Sequence, residues 1–161
     1  MRPLLALFVL ALAACHASTP LARVESRHAV TPTTSDLSAW HWQLVTATDP
    51  HGQRIDALFA RAGRPLELVF DGHHLSVRHT CNAMGGDFRI DGDRLQLHAL
   101  IHTMMACADP ALNRLDQAIG ARLRTRPRLT LENAAPPRLQ LHTDTGDTLV
   151  FKGVKAATAS P

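Results

Sequence analysis

The sequence has no tyrosine, and aromatic residues of any kind make up only 4% of its 161 residues. A site built on stacked rings, as for unpaired bases or sugars, is therefore not expected. Lys and Arg outnumber Asp and Glu by three, yet they form no dense block, so no nucleic-acid partner is expected. There is no H-E-x-x-H and no C-x-x-C, hence no zinc motif. There is also no G-x-S-x-G and no ordered Cys–His nucleophile pair. The apolar run at residues 4–12 is too short to span a bilayer as a mature helix. What is present is ordinary for a globular chain: 45% hydrophobic and 19% charged residues, in a length that suits one domain.

Arg2, the apolar run and the small residues of Leu12-Ala13-Ala14-Cys15 have the layout of a secretory signal peptide. Leu-Ala-Ala-Cys also resembles the bacterial lipobox, in which the cysteine becomes the new N-terminus and carries the lipid. On this reading residues 1–14 are a lipoprotein signal peptide, Cys15 is the lipidation site, and residues 15–36 are a flexible, lipid-anchored linker rich in Ser, Thr, Pro and Ala. The alternative is a plain secreted protein cut near Ala14. Residue 16 is His rather than Asp, so the inner-membrane retention signal of some bacteria is absent. The expected location is the outer membrane, facing the periplasm. Loss of Arg2 takes the basic surplus from three to two, so acyl chains rather than charge would hold the membrane. With Cys15 given to the lipid, Cys81 and Cys107 remain. In an oxidising compartment they read as one disulfide, closing a loop worth about 3.5 kcal/mol in the chain-entropy account. A metal pair with His, or two free buried thiols, are the alternatives.

The expected domain covers residues 37–154, followed by a flexible tail at 155–161. Inside it the apolar period is mostly two. Leu66, Leu68 and Phe70 precede Asp71-Gly72, and Leu75 and Val77 follow. Phe88 and Ile90 precede Asp91-Gly92, and Leu95 and Leu97 follow. Such runs about Asp-Gly predict hairpins. Trp40, Trp42 and Leu44 mark a first strand, Leu129 and Leu131 another, and Leu139–Leu141 with Leu149–Phe151 a last pair. One segment departs. Asp109-Pro110 is an N-cap followed by the favoured first helical residue, and Leu112, Leu115, Ile119 and Leu123 fall on one helix face. The prediction is an α+β fold, mostly antiparallel: a curved sheet or partly closed barrel of about 7–8 strands with one amphipathic helix.

Two segments then stand out: Thr80-Cys81-Asn82-Ala83-Met84-Gly85-Gly86-Asp87-Phe88 and Thr103-Met104-Met105-Ala106-Cys107-Ala108-Asp109-Pro110. Cys-Asn with glycines, a strand, a G-x-L strand, then Thr-Met-Met-x-Cys and a helix resemble the META domain family, and within it the HslJ-like heat-inducible lipoprotein group. The resemblance implies a compact, strongly curved β-structure with a helix, secreted or lipid-anchored, with a link to heat and envelope stress. It brings no established catalytic residues.

Asn82, Gly85 and Gly86 could form an anion-holding nest, but a turn after Cys81 is the expected role. Thr103, Met104 and Met105 could be an adaptable exposed surface, but Met side chains filling the core beside the helix are expected. Among ten histidines, adjacent His73 and His74 point to opposite faces of a strand, and the alternation about His98 and His102 reads as strand and loop rather than a helical metal pair. No metal, cofactor or catalytic residue is expected. The function expected is a non-catalytic outer-membrane lipoprotein that supports envelope integrity or stress tolerance through an envelope protein partner. The alternatives are a lipid-tethered inhibitor of a periplasmic hydrolase, or a weak metal or ligand binder.

Overall fold

The structure, a computed structural model, describes residues 29–156; residues 1–28, with the expected signal peptide and Cys15, and residues 157–161 lie outside the described residues. In chain order the elements are β1 (Ala29–Val30), α1 (Thr34–Ser38), β2 (His41–Thr48), a 3-10 helix (Asp56–Phe59), β3 (Glu67–Asp71), β4 (His74–Arg78) and β5 (Met84–Asp91). They continue with β6 (Arg94–Leu97), β7 (Ile101–His102), α2 (Pro110–Arg124), β8 (Arg128–Glu132), β9 (Arg138–His142) and β10 (Thr148–Val154).

The Asp-Gly pairs make the hairpins that alternation predicts. Asp71 pairs with His74 and Asp91 with Arg94, leaving two-residue turns. Gly72 and Gly92 take positive φ (53° and 62°) at the first central position, the pattern of a II′ turn that follows the strand twist. Every pairing is antiparallel, and the strands run β8-β6-β5-β4-β3-β2-β10-β9 before β9 returns to β8. Eight strands thus close a barrel. β1 adds to β8, and β7 adds to β5 beyond the end of β6. The seam between β6 and β8 is thin: Arg94 opposite Arg128, with Leu95 N–H donating to the Pro127 carbonyl and Leu129 N–H to that of Asp93. Closure removes the free edges that an open sheet would expose.

Inward-facing residues fill the barrel. Trp42, Phe88 and Phe151 are buried among leucines from the other barrel strands, and Phe70 meets Phe88 edge to face with centroids 5.1 Å apart. Each such side chain contributes about 1.5–3 kcal/mol by leaving water. α2 lies across one end and buries Leu115, Ile119 and Leu123. Asp109 caps it by accepting from Ala111 N–H at 2.8 Å, and Arg122 in its last turn reaches Asp147 in the β9–β10 turn at 2.8 Å. α1 packs on β3, and its Leu37 carbonyl accepts from the Trp42 indole at 2.8 Å.

Order therefore begins earlier than residue 37, within the stretch expected as a linker. β1 pairs with β8, and Thr33 forms a capping box with Asp36 that starts α1. Ser, Thr and Asp favour helix caps for the same reason they favour loops: their side chains hydrogen-bond the nearby backbone. Backbone and then side-chain hydrogen bonds from Thr33 hold the Asp36 carboxyl below its ordinary range.

Candidate functional site

The two motif segments meet at the end of the barrel that α2 covers. Their centre is Asp116, which is buried on α2. One carboxylate oxygen accepts from Cys81 N–H at 3.0 Å; the other accepts from Asn82 N–H at 2.9 Å and the Asn82 side-chain amide at 3.0 Å. The Asn82 side-chain oxygen in turn accepts from Met105 N–H at 2.7 Å and the Thr103 hydroxyl at 2.9 Å. The Thr103 hydroxyl oxygen accepts from Ala83 N–H at 3.2 Å. Cys81 and Cys107 form a disulfide beside this network, with Cα atoms 6.2 Å apart. The result ties three separate segments: the β4–β5 connection, the β7–α2 connection and α2 itself. Each polar atom named has a partner, as a buried network requires to be stabilising.

Three expectations change here. Asn82 does not make a left-handed turn; the positive-φ non-glycine residues among those described are His79 and Arg126. Its use is its side chain, which donates to Asp116 and accepts from the 103–105 segment. Gly85 and Gly86 are not turn residues either, but lie inside β5. They are needed for close approach: a Cβ on Gly86 would overlap the Ala99 carbonyl oxygen, and one on Gly85 would lie 2.6 Å from the Leu75 carbonyl oxygen. β6 leaves β5 after Leu97, and the 98–100 backbone folds onto Gly86 before β7 resumes the pairing. Finally, Met104 and Met105 are not core. They are 92% and 61% exposed, because Asn82 holds the segment by its backbone and by Thr103, which leaves the thioether chains outside.

Two shallow grooves flank this segment. One, of about 630 Å³, runs over the outer face of β4 and β5 and is lined by His74, Ser76, Gly85, Asp87, His98 and His102. The other, of about 410 Å³, lies between Met104, Met105 and α2, with Gln117 and Arg124 on its far wall. His74 engages Asp87 at 2.9 Å across the hairpin. His79, half-buried, engages the Pro65 carbonyl at 2.7 Å. Cys81, Cys107 and Asp116 lie close enough to suit a cation, but the sulfurs are joined to each other and both Asp116 oxygens receive N–H groups. Such an oxidised pair offers no thiolate ligand.

Charge elsewhere serves the seam. Arg94 forks onto Asp144 at 2.9 and 3.2 Å, Asp93 meets Arg128 at 2.7 Å, and Asp91 meets Arg126 at 3.0 Å. The hydrogen bond from Arg94 holds the Asp144 carboxyl below its usual range. These pairs are largely exposed and orient the seam more than they stabilise it. Asp91 and Asp93, which flank a turn glycine in sequence, are thus each committed to an arginine.

Comparison with known proteins places this arrangement. No curated protein matches the chain. An NMR structure of a protein from Burkholderia xenovorans is similar at 26% identity and a TM-score of 0.63, over 82% of this chain and 97% of that one. A second NMR structure is similar at 25% identity and a TM-score of 0.52, over 75% of this chain and 94% of that one. Residues 35–156 match the META domain, a span that holds the eight-stranded barrel, both motif segments and α2. The chain belongs to the META domain family.

Proposed function

We propose that this chain is a non-catalytic, lipid-anchored module of the bacterial envelope, of the heat-inducible lipoprotein type within its family. It stands on the periplasmic face of the outer membrane and works by contact. The observation that supports this best is how the motif divides its labour. Its polar side chains, Asn82 and Thr103, are spent on each other, on Asp116 of α2 and on backbone N–H groups. That leaves no free base or nucleophile at the centre of the motif, while apolar side chains of the same segment stand in solvent. A group engaged in this way positions a surface instead of reacting. The Leu12-Ala13-Ala14-Cys15 sequence supplies the argument for the anchor.

The test is a deletion strain challenged with heat and detergent, complemented by the wild-type gene and by Cys15→Ala. The expected outcome is sensitivity that wild type rescues and Cys15→Ala does not. Equal rescue by both would end the anchoring reading. A deletion with no phenotype under either stress would end the envelope-support reading, and the inhibitor alternative would then be tested against periplasmic hydrolases.

A further inference from the structure

Five large hydrophobic residues are exposed among those described, and three of them, Ile101, Met104 and Met105, fall within five consecutive positions. They are 71%, 92% and 61% exposed. Apolar residues scattered singly on a surface need no explanation, whereas a cluster does. This cluster is also held in place. β7 pairs with the start of β5, Thr103 N–H donates to the Ala83 carbonyl at 3.0 Å, Met105 N–H donates to Asn82, and the disulfide fixes Cys107. The backbone carrying these side chains is thus tied down at four points.

The surroundings are polar and carry few fixed charges. From Ala99 to Ala108 the only ionisable side chain apart from the bridged cysteine is His102. His98, His102 and Arg124 line the two grooves at either side. The nearby acids are engaged: Asp87 with His74, Asp109 as the cap of α2, and Asp116 inside the network. The patch is therefore apolar at its crest, with Arg124 and two histidines at its rim.

We propose that this crest is a membrane contact. Ile101, Met104 and Met105 enter the interfacial layer of a phospholipid bilayer, and His98, His102 and Arg124 face the headgroup phosphates. The inference rests on the anchoring reading for proximity. Thirteen residues separate Cys15 from Ala29 and, by covalent geometry alone, can span at most about 50 Å. A domain of this length has a radius of gyration of about 14 Å, so its diameter is about 36 Å. Any face of the domain can therefore reach the bilayer to which Cys15 would be joined. Once tethered, a weak contact becomes intramolecular and needs little affinity of its own. Ile101 borders one shallow groove and Met104 and Met105 the other, yet all three stay mostly exposed, which suits insertion between lipids. Methionine's unbranched, polarizable chain also adapts to a fluid partner.

The experiment uses the whole mature chain carrying Cys15→Ser, so that no acyl chain contributes. Its sedimentation with phosphatidylethanolamine–phosphatidylglycerol vesicles is compared with that of the Ile101→Ser/Met104→Ser/Met105→Ser variant. The variant should melt with the parent, since the replaced side chains are exposed, and should lose at least tenfold in vesicle partitioning. Met104→Ser alone, at the most exposed position, should lose part of it. Hydrogen exchange with vesicles present should slow within 98–108. Equal partitioning by parent and variant overturns the proposal, as does protection confined to another surface. Self-association abolished by the triple change, without vesicle binding, would assign the patch to a second copy and overturn it too. Mass spectrometry of the native protein reads acylation separately. An unacylated Cys15 would end the anchoring reading without touching the vesicle result.

Discussion

Replacing Asp116 by alanine tests whether the buried network is what holds the two motif segments to the helix. The change removes the acceptor of three N–H groups: Cys81 N, Asn82 N and the Asn82 amide, at 2.9–3.0 Å. Hydrogen bonds to a charged group contribute about 1.5–3 kcal/mol each, and a buried donor left unpaired costs about 1–3 kcal/mol. Cys81 is half-buried and water can reach its N–H, so the three do not count fully. The expected loss is about 3–5 kcal/mol, set chiefly by the two Asn82 donors. For the 128 residues described, an unfolding entropy of about 0.27 kcal/mol/K converts this to a fall in melting temperature of about 11–19 °C. Asp116→Asn keeps the shape and one acceptor but points an amide at a donor, so it should fall between, at about 2 kcal/mol. Asn82→Ala and Asp116→Ala share their contacts, so the double variant should lose clearly less than the sum. Thermal and urea unfolding followed by circular dichroism measures all four. A melting point for Asp116→Ala within about 2 °C of wild type, or full additivity with Asn82→Ala, would refute the reasoning.

Replacing both Cys81 and Cys107 by serine should cost about 3.5 kcal/mol in urea unfolding, from the 26-residue separation they bridge; no change would mean that Asn82 and Asp116 already close that loop. Gly86→Ala should cost about 1–3 kcal/mol, at the upper end because the obstacle is the Ala99 backbone rather than a side chain that can swing away. A neutral result would mean that the 98–100 backbone yields freely. His142 should make the protein less stable in mild acid. Burial, and then the charge of Arg128, hold its pKa below the ordinary 6.5, so the unfolded chain binds its proton first and stability falls as pH drops below about 7. His142→Gln should therefore melt with a shallower slope than wild type between about pH 7.5 and pH 5, and identical slopes would sink this assignment.

The parts of the fold that local periodicity controls were legible. Leu66 to Val77 and Phe88 to Leu97 alternate about Asp-Gly, and each pair is a hairpin with its glycine at positive φ. Asp109-Pro110 and the Leu112, Leu115, Ile119 and Leu123 stripe place α2 to within a residue. What depends on distant backbone was not legible. The barrel closes between β6 and β8 through one opposed residue pair and two flanking hydrogen bonds, too little to leave a pattern. Gly85 and Gly86 look like turn residues because glycine serves turns and close approaches alike. Only the Ala99 carbonyl, thirteen positions on, separates the two cases. β1 and the start of α1 were hidden in a stretch whose Ser, Thr and Pro content fits a linker as well as a cap.

At the candidate site, residue type pointed the wrong way for a physical reason. Methionines default to the core and an Asn beside glycines defaults to a turn, yet here the polar residue is buried and the apolar ones are outside. A signal for this inversion does exist in the sequence. Asp116 falls on the apolar stripe of α2, at the four- and three-residue spacings from Leu112 to Ile119. A carboxylate in a buried stripe must find donors, because its desolvation is otherwise prohibitive. Backbone N–H groups and side-chain amides can meet it without a counter-cation, and Asn82 offers one of each, which makes it more than a turn former. Once Asn82 turns its amide to Asp116, its oxygen faces the 103–105 backbone and fixes that segment by its main chain. A segment held by its main chain has no need to bury its side chains. The exposure of Met104 and Met105 thus follows from the burial of Asp116, and the network that stabilises the domain also sets out its apolar surface.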